Sequence, residues 1–152
     1  MAIRTTAILN LKGGVAKTTT AINMAAILAR DYEARVLLID GDSQCNTTEF
    51  FGADPAVGNL ARLLRGAGLY EDPGKFAAML IQSTTFPDLD ILAGDDTLMD
   101  LDLSKVEQGT VNSNVLRYLV EKVRAEYDYI LIDCPPAFNA ASAAALIAAD
   151  DV

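Results

Sequence analysis

Short apolar runs alternate with longer amphipathic or alanine-rich segments along this chain of 152 residues. The runs are nearly continuous and rich in branched residues, a pattern typical of strands that are covered on both faces in a parallel sheet. The pattern predicts strands over residues 5–10, 35–40, 89–94 and 129–133, and helices over residues 17–30, 60–65, 74–82, 111–126 and 137–149. This alternation predicts an α/β fold with a mainly parallel sheet, and the length suits a single domain over residues 1–152.

Two of the predicted helices carry a more detailed expectation. Residues 17–30 are apolar almost all round and rich in alanine, so we expect a buried helix that packs closely on the sheet. Residues 111–126 have apolar positions on one face only, and either Asn112 or Ser113 is expected to cap the start of that amphipathic helix.

Composition limits the classes of function. The formal net charge of −9 argues against a general nucleic-acid surface, which needs clustered Lys and Arg. The sequence contains no histidine, which excludes sites that depend on imidazole. The two cysteines, Cys45 and Cys134, form no C-x-x-C pair, so we expect neither a disulfide framework nor a zinc site, and a cytoplasmic location. No apolar run predicts a membrane span or a signal peptide.

The candidate chemistry follows three of the predicted strands. The first strand leads into "NLKGGVAKT", the second into "DGDSQCN" and the last into "DCPP". The carboxyl ends of parallel strands lie at one edge of a sheet, where ligands bind. We therefore expect these three segments to form one site.

The first of these segments has features of a phosphate-binding loop, although it lacks both glycines of the usual G-x-x-x-x-G-K-[ST] pattern. The amides of Gly13 and Gly14 can approach phosphate oxygens, because glycine has no side chain. Lys17 would reach the β- and γ-phosphates, and Thr18 would ligate Mg²⁺. Taken alone, the segment is open to a second interpretation, a Gly-Gly turn with solvated lysines in front of a helix.

Aspartates in the other two segments favour the nucleotide interpretation. Asp133 ends its strand at the place of a Walker-B carboxylate, which holds Mg²⁺ directly or through water. Asp40 and Asp42 follow another strand, where one carboxylate can support the magnesium shell and the other can orient a water toward the γ-phosphate. Phosphoryl transfer needs such positioning and charge neutralisation more than it needs covalent chemistry.

The segments "KGGVAKTTTAINMAAILA", "RVLLIDGDSQCNTT" and "YDYILIDCPP" resemble the ParA/MinD family of deviant Walker-A P-loop ATPases, and most of all its ParA-type (Soj-like) partition ATPases. The resemblance implies a three-layer P-loop NTPase fold, with helices on both faces of a mainly parallel sheet. It covers the N-terminal half to two thirds of a typical member, so the domain is expected to be truncated at its C-terminus. The strand at residues 5–10 would then form an exposed apolar edge.

The resemblance also implies roles for individual residues. Lys12 would be the signature lysine that reaches the partner's phosphates in an ATP-sandwich homodimer, with Lys17 and Asp42 as the other catalytic residues. The nucleotide would be bound by Lys12, Gly13, Gly14, Val15, Ala16, Lys17, Thr18 and Thr19, and the metal by Thr18, Asp40 and Asp133. Ala16 departs from the family, which usually has glycine there, and a positive φ at this position would cost about 1 kcal/mol.

The implied function is a Mg²⁺-dependent ATPase that hydrolyses ATP to ADP and phosphate and acts as a dimerisation switch in plasmid or chromosome partitioning. The implied partners are a ParB-like DNA-bound protein and non-specific DNA, although the basic surface that binds DNA in the family is not in this chain. The implied location is the bacterial cytoplasm, at the nucleoid and not at a membrane. Two alternatives stay open: a shortened, non-catalytic module that binds nucleotide or a partner, and a MinD-like positioning ATPase.

Overall fold

The computed structural model describes residues 4–12, 16–66 and 72–152. In these residues one sheet contains the strands β1 (Arg4–Ile8), β2 (Val36–Asp40), β3 (Gln82–Ser83), β4 (Leu89–Leu92) and β5 (Tyr129–Asp133). The α-helices of the same residues are α1 (Lys17–Asp31), α2 (Asn46–Phe50), α3 (Leu60–Gly66), α4 (Pro73–Ala78), α5 (Leu103–Glu107), α6 (Val115–Val123) and α7 (Ala140–Ala148). Short 3₁₀ turns cover Asp96–Asp100 and Arg124–Glu126.

The sheet is mainly parallel, as predicted. Its strand order is β1-β5-β2-β4-β3, and every neighbouring pair is parallel except β3 with β4. The sequence pattern does not predict β3, because it indicates a helix that continues through residue 82. Instead α4 ends at Ala78, and the residues Gln82 and Ser83 pair with the outer side of β4.

Helices cover both faces of the sheet. Successive strand residues point to opposite faces, so Leu37 and Ile39 pack with α3, α4, α6 and α7. Val36 and Leu38 lie on the other face and pack with α1. The result is the three-layer arrangement of an α/β fold of the P-loop NTPase type.

Helix α1 packs closely on the sheet, as predicted, but it is buried along one face only. Ala21, Ala25 and Ala29 are buried and form one stripe at a spacing of four residues, which packs on the sheet. Outside this stripe, Met24 and Ile27 are 40% and 43% exposed. The number of apolar residues in the helix does not reveal that only the alanine stripe meets the sheet.

None of the helices in the described residues is both long enough and apolar enough to cross a bilayer.

The start of α6 also differs from the prediction. The helix begins at Val115 with Asn114 as its N-cap residue, and the Asn114 side chain makes no capping bond. The backbone N–H of Asn114 donates to Asn112 Oδ1 at 3.0 Å, a bond that closes a turn ahead of the helix. The expected cap at Asn112 or Ser113 was therefore wrong, since the amide of Asn112 stabilises this turn instead.

Strand β1 lies at the edge of the sheet, as the resemblance implies, but its outer side is partly covered. The backbone N–H groups of Asp150 and Asp151 donate to the Thr5 carbonyl oxygen at 2.7 and 3.1 Å. The N–H of Ala7 donates to the Asp151 carbonyl oxygen at 2.9 Å. The N–H of Thr5 also donates to Asp150 Oδ2, at 3.0 Å. Part of this edge is therefore already paired, and Asp151 forms a parallel bridge with Thr6.

Candidate functional site

The parallel register brings three strand ends to one level. Ile8 of β1 and Asp40 of β2 both lie opposite Asp133 of β5. Residues in register on neighbouring strands point to the same face of a sheet, so Asp40 and Asp133 share a face. Their hydrogen-bond partners lie in α1 and α2, which places both carboxylates on the α1 side of the sheet.

The carboxylate of Asp133 is fully buried and is held on one side only. Its Oδ2 accepts hydrogen bonds from the hydroxyl groups of Thr18, at 3.0 Å, and Thr47, at 2.9 Å. Its Oδ1 has no hydrogen-bond partner and lies 3.9 Å from Lys17 Nζ. Burial raises the pKa of this carboxyl, although the two hydroxyl groups and Lys17 oppose the shift. Hydrogen bonds thus fix Oδ2, while Oδ1 makes no hydrogen bond and lies near the Lys17 ammonium group.

Lys17 lies between two carboxylates at the start of α1. Its Nζ is 3.7 Å from Asp42 Oδ2 and 3.9 Å from Asp133 Oδ1, and none of the three side chains is more than 9% exposed. These distances describe ion pairs rather than direct hydrogen bonds. Asp40 adds a third carboxylate at the same edge of the sheet, so the carboxylates outnumber the one ammonium group that pairs with Asp42 and Asp133.

Asp40 is bound on both oxygens by the segment that follows it. Its Oδ1 accepts from the N–H of Asp42 at 3.1 Å. Its Oδ2 accepts from the N–H and the hydroxyl group of Thr48, at 2.9 and 2.6 Å. The Thr48 hydroxyl oxygen in turn accepts from the N–H of Gly94 at 2.7 Å. These bonds fix the loop between β2 and α2 to the ends of β2 and β4.

The loop holds Asp42 in a tight turn. Asp42 Oδ1 accepts from the N–H of Gln44 at 3.0 Å, and the Asp42 carbonyl oxygen accepts from the N–H of Cys45 at 3.0 Å. Cys45 has a left-handed backbone, with φ 58°, and ends the loop before α2. The side chain of Asp42 is therefore oriented by the backbone, with its Oδ2 toward Lys17.

The thiols of the two free cysteines near the site, Cys45 and Cys134, have low reactivity. Burial raises the pKa of the Cys45 and Cys134 thiols to about 12. A thiol that stays protonated at neutral pH is a weak nucleophile, because the thiolate is the reactive form.

The pKa of Asp40 makes stability depend on pH. Burial raises this pKa to about 6, against the opposing hydrogen bonds from Thr48 and Asp42. Because the folded-state pKa is the higher one, the folded protein binds an extra proton between about pH 4 and pH 6, and the free energy of unfolding falls as pH rises through that window. We expect a loss of about 2 kcal/mol between about pH 4.5 and pH 7 in urea denaturation without metal. Asp40→Asn, which cannot ionise, should flatten this slope, and equal slopes in the two proteins would contradict the assignment.

Ala16 precedes α1 in the left-handed conformation, with φ 60° and ψ 24°. The sequence leaves the sign of φ at Ala16 open. Positive φ is the unfavourable case, because the methyl group crowds the backbone there. The Ala16 carbonyl oxygen nevertheless accepts from the N–H and hydroxyl groups of Thr20, at 2.9 and 2.8 Å, which keeps the strained residue in place.

Glycine at position 16 is expected to raise the free energy of unfolding by about 1 kcal/mol, because it adopts positive φ without strain. Chemical denaturation of Ala16→Gly measures this gain. Ala56→Gly is the matched control, since Ala56 is an exposed alanine outside the left-handed region and its replacement should stabilise nothing. A loss of stability in Ala16→Gly would show that the strain is absent.

The other predicted nucleotide residues lie on the surface or outside the described residues. Lys12 and Thr19 are exposed. The backbone N–H of Lys12 donates to Asn10 Oδ1 at 2.8 Å, which fixes the backbone ahead of the loop. Three of the predicted contacts fall outside the described residues, namely Gly13, Gly14 and Val15.

The sequence reasoning does not single out Thr47 and Thr48, which bind the two strand-end carboxylates. Adjacent residues of a helix are turned by about 100° from each other. Thr47 therefore contacts Asp133, while Thr48 contacts Asp40. The only sequence signal is a pair of adjacent hydroxyl residues directly after the acidic loop.

The residues at this edge fit a magnesium ion. In the part of the chain that the structure describes, no three His, Cys, Asp or Glu side chains are grouped as a ready-made metal site. Mg²⁺ in phosphate sites needs only one or two protein oxygens, because water and phosphate supply the remaining ligands. The hydroxyl of Thr18 and the unpartnered Oδ1 of Asp133 are hard oxygen donors, and the surrounding charge is negative.

Comparison with known proteins decides the family. Residues 3–152 match the sequence profile of a family described as the AAA domain. The chain is also 40% identical to the chromosome partitioning protein ParA of Caulobacter vibrioides (strain NA1000 / CB15N) over 157 residues, which cover 99% of this chain and 54% of that protein. The chain belongs to the ParA-type P-loop ATPases of this family.

Solved structures agree with the assignment of a ParA-type fold. The structure of Cyanothece McdA without nucleotide has a TM-score of 0.80 at 31% identity, with 97% of this chain and 56% of McdA covered. Cobyrinic acid a,c-diamide synthase from Mycobacterium smegmatis, with a bound ATP analogue and magnesium, has a TM-score of 0.81 at 28% identity, with 99% of this chain and 57% of the synthase covered. This ParA-type chain thus spans about half the length of the proteins it matches.

Proposed function

We propose that this chain binds ATP and Mg²⁺ at the edge formed by β1, β5 and β2, and hydrolyses ATP in a cycle that switches it between a monomer and an ATP-bound homodimer. One observation carries the proposal: Lys17, Thr18, Asp42 and Asp133 come from three separate segments and meet in one cluster. A structural role alone does not require a lysine beside an unpartnered buried carboxylate oxygen.

Each residue of the cluster has a role in this proposal. Lys17 binds the β- and γ-phosphates, and Asp42 accepts a hydrogen bond from the water that attacks the γ-phosphate. Thr18 and Asp133 would hold Mg²⁺, which when bound supplies positive charge to the phosphate oxygens. The metal role of Asp40 stays a prediction, because protein donors bind both of its oxygens and its observed contact is with the loop that carries Asp42.

The remaining predicted contacts complete the nucleotide site in the proposal. Amides and side chains of residues 13–16 and of Thr19 surround the phosphates, and the exposed Lys12 reaches the phosphates of a second copy. The exposure of Lys12 supports this role, since a side chain that crosses to a partner cannot be packed within its own chain.

The proposed biological role is plasmid or chromosome partitioning in the bacterial cytoplasm, with a ParB-like DNA-bound protein as partner. The partitioning role of the Caulobacter relative supports it. Non-specific binding of DNA at the nucleoid is proposed for the protein as a whole, and this chain spans about half the length of that relative.

Calorimetry and light scattering test the proposal. We expect the wild-type chain to bind ATP in the presence of Mg²⁺ with measurable heat, and to form dimers with ATP but not with ADP. Lys12→Ala should retain the heat of binding and lose the dimer, because its own cluster of Lys17, Thr18 and Asp133 is unchanged. ATP-dependent dimers in Lys12→Ala would contradict the assigned role of Lys12.

The alternative is a non-catalytic module that binds only a partner protein. The same titration separates the two functions. If ATP and Mg²⁺ produce no heat of binding, the ATPase proposal is overturned and the module stands. A MinD-like positioning ATPase would bind ATP equally well but would be recruited to lipid vesicles, which a sedimentation assay detects.

A further inference from the structure

Thr47 holds the one carboxylate of the cluster whose second oxygen is open. Its side chain is fully buried, and its hydroxyl group donates to Asp133 Oδ2 at 2.9 Å. Thr18 donates to the same oxygen at 3.0 Å. Asp133 Oδ2 thus accepts two hydroxyl hydrogen bonds, whereas Asp133 Oδ1 accepts none.

The two hydroxyl groups differ in what else they can do. Thr18 lies in the second position of α1, where a hydroxyl can turn from Asp133 to a cation. Thr47 lies in α2, which follows the loop of Asp42 in the chain, and its side chain is fully buried. When Thr18 is engaged elsewhere, Thr47 is the hydroxyl group that still fixes the rotation of the Asp133 carboxylate.

We propose that Thr47 is a positioning residue for Asp133. Its hydrogen bond to Oδ2 orients the carboxylate so that Oδ1 points to the place where Thr18 and Asp133 would hold Mg²⁺. Because Thr47 lies in α2, which follows the loop of Asp42, the orientation of Asp133 also depends on that loop. The inference rests on the proposed function, because it concerns the magnesium that accompanies the nucleotide. Outer-shell groups that orient a metal-binding carboxylate typically contribute about 10- to 100-fold to metal affinity.

Thr84 provides a matched control outside the site. Its hydroxyl group donates to the Leu89 carbonyl oxygen at 2.7 Å and accepts from the N–H of Phe86 at 3.1 Å. Leu89 pairs with Val36, at the opposite end of β2 from Asp40. Valine at position 47 or 84 keeps the side-chain shape and removes one hydrogen-bonded hydroxyl group, so both variants lose stability for the same general reason.

The decisive measurement is the affinity for ADP with and without Mg²⁺, combined with the free energy of unfolding of each variant in nucleotide-free buffer. Thr47→Val is expected to reduce the gain in affinity that Mg²⁺ provides by about tenfold, while its affinity without Mg²⁺ changes little. Thr47→Ser should restore the gain, because serine keeps the donor. Thr84→Val should also lose stability and keep the full gain.

Three outcomes would overturn parts of this scheme in distinguishable ways. A normal Mg²⁺ effect in Thr47→Val refutes the positioning role and leaves the ATPase proposal intact. An equal loss of the Mg²⁺ effect in Thr84→Val also refutes it, because the effect would then follow from a general loss of stability. A wild-type chain that binds no nucleotide overturns the proposed function, and this inference with it.

Discussion

Alanine at position 42 is expected to slow ATP hydrolysis by about 100-fold while nucleotide binding persists. The backbone of its own loop orients Asp42, with Oδ1 accepting from the N–H of Gln44 and Oδ2 directed at Lys17. Removing the carboxylate leaves in place Lys17 and Asp133, the proposed ligands of the phosphates and the metal, so the proposed cycle loses the group that orients the water. Because hydrolysis ends the dimeric state in the proposed cycle, ATP-bound dimers of Asp42→Ala should persist.

Two further variants make this test specific. Asp42→Asn keeps an oxygen acceptor for Gln44 and removes the negative charge, so slow hydrolysis in this variant would show that charge and not loop geometry is responsible. Asp100→Ala removes an exposed aspartate from a 3₁₀ turn and should turn over ATP like the wild type. Wild-type turnover in Asp42→Ala would refute the catalytic role, whatever its effect on dimers.

Alanine at position 41 should lower the free energy of unfolding by about 3 kcal/mol. Gly41 lies between Asp40 and Asp42, and its N–H donates to the Asp133 carbonyl oxygen at 2.7 Å. A methyl group built on Gly41 would lie 2.8 Å from that same oxygen, which belongs to the backbone of β5 and cannot move aside cheaply. The ends of β2 and β5 would have to separate, so nucleotide binding should weaken together with stability.

Gly109→Ala is the control for the glycine replacement itself. Gly109 has φ 76° and open space around the position of an added methyl group. Its replacement should cost about 1 kcal/mol through backbone strain alone and leave nucleotide affinity unchanged. Urea denaturation and calorimetry of both variants compare the two costs, and equal losses of stability would show that the contact with Asp133 is not the cause.

The sequence predicts the positions of Asp40 and Asp133 because each ends a nearly continuous apolar run, which is typical of a buried strand. Asp40 and Asp133 can therefore be placed at one edge before any coordinates are known, and parallel pairing then brings them into register. The threonines that hold them are different. Thr47 and Thr48 lie in a helix of only five residues, which is too short to produce a periodic pattern.

Backbone conformation at single residues is a second kind of information that the pattern does not contain. Ala16 has a positive φ, and its carbonyl oxygen accepts a hydrogen bond from Thr20 in the first turn of α1. The sequence does not predict this conformation, because an alanine in a loop is compatible with either sign of φ. The burial of α1 is similar. The helix contains many apolar residues, but only Ala21, Ala25 and Ala29 are buried, because they are the ones that pack on the sheet.

The covering of β1 by Asp150 and Asp151 has a consequence for how the chain folds. Arg4 and Asp151 are 147 residues apart in sequence, and Thr5 and Asp150 are 145 residues apart. Contacts of such long range form slowly, because the entropy of closing the intervening chain is lost before the contact returns any stabilisation. During synthesis β1 is made before β5 and before Asp150 and Asp151, so its backbone groups stay unpaired until these residues are available. It is therefore the segment where misassembly and chaperone binding are expected to concentrate.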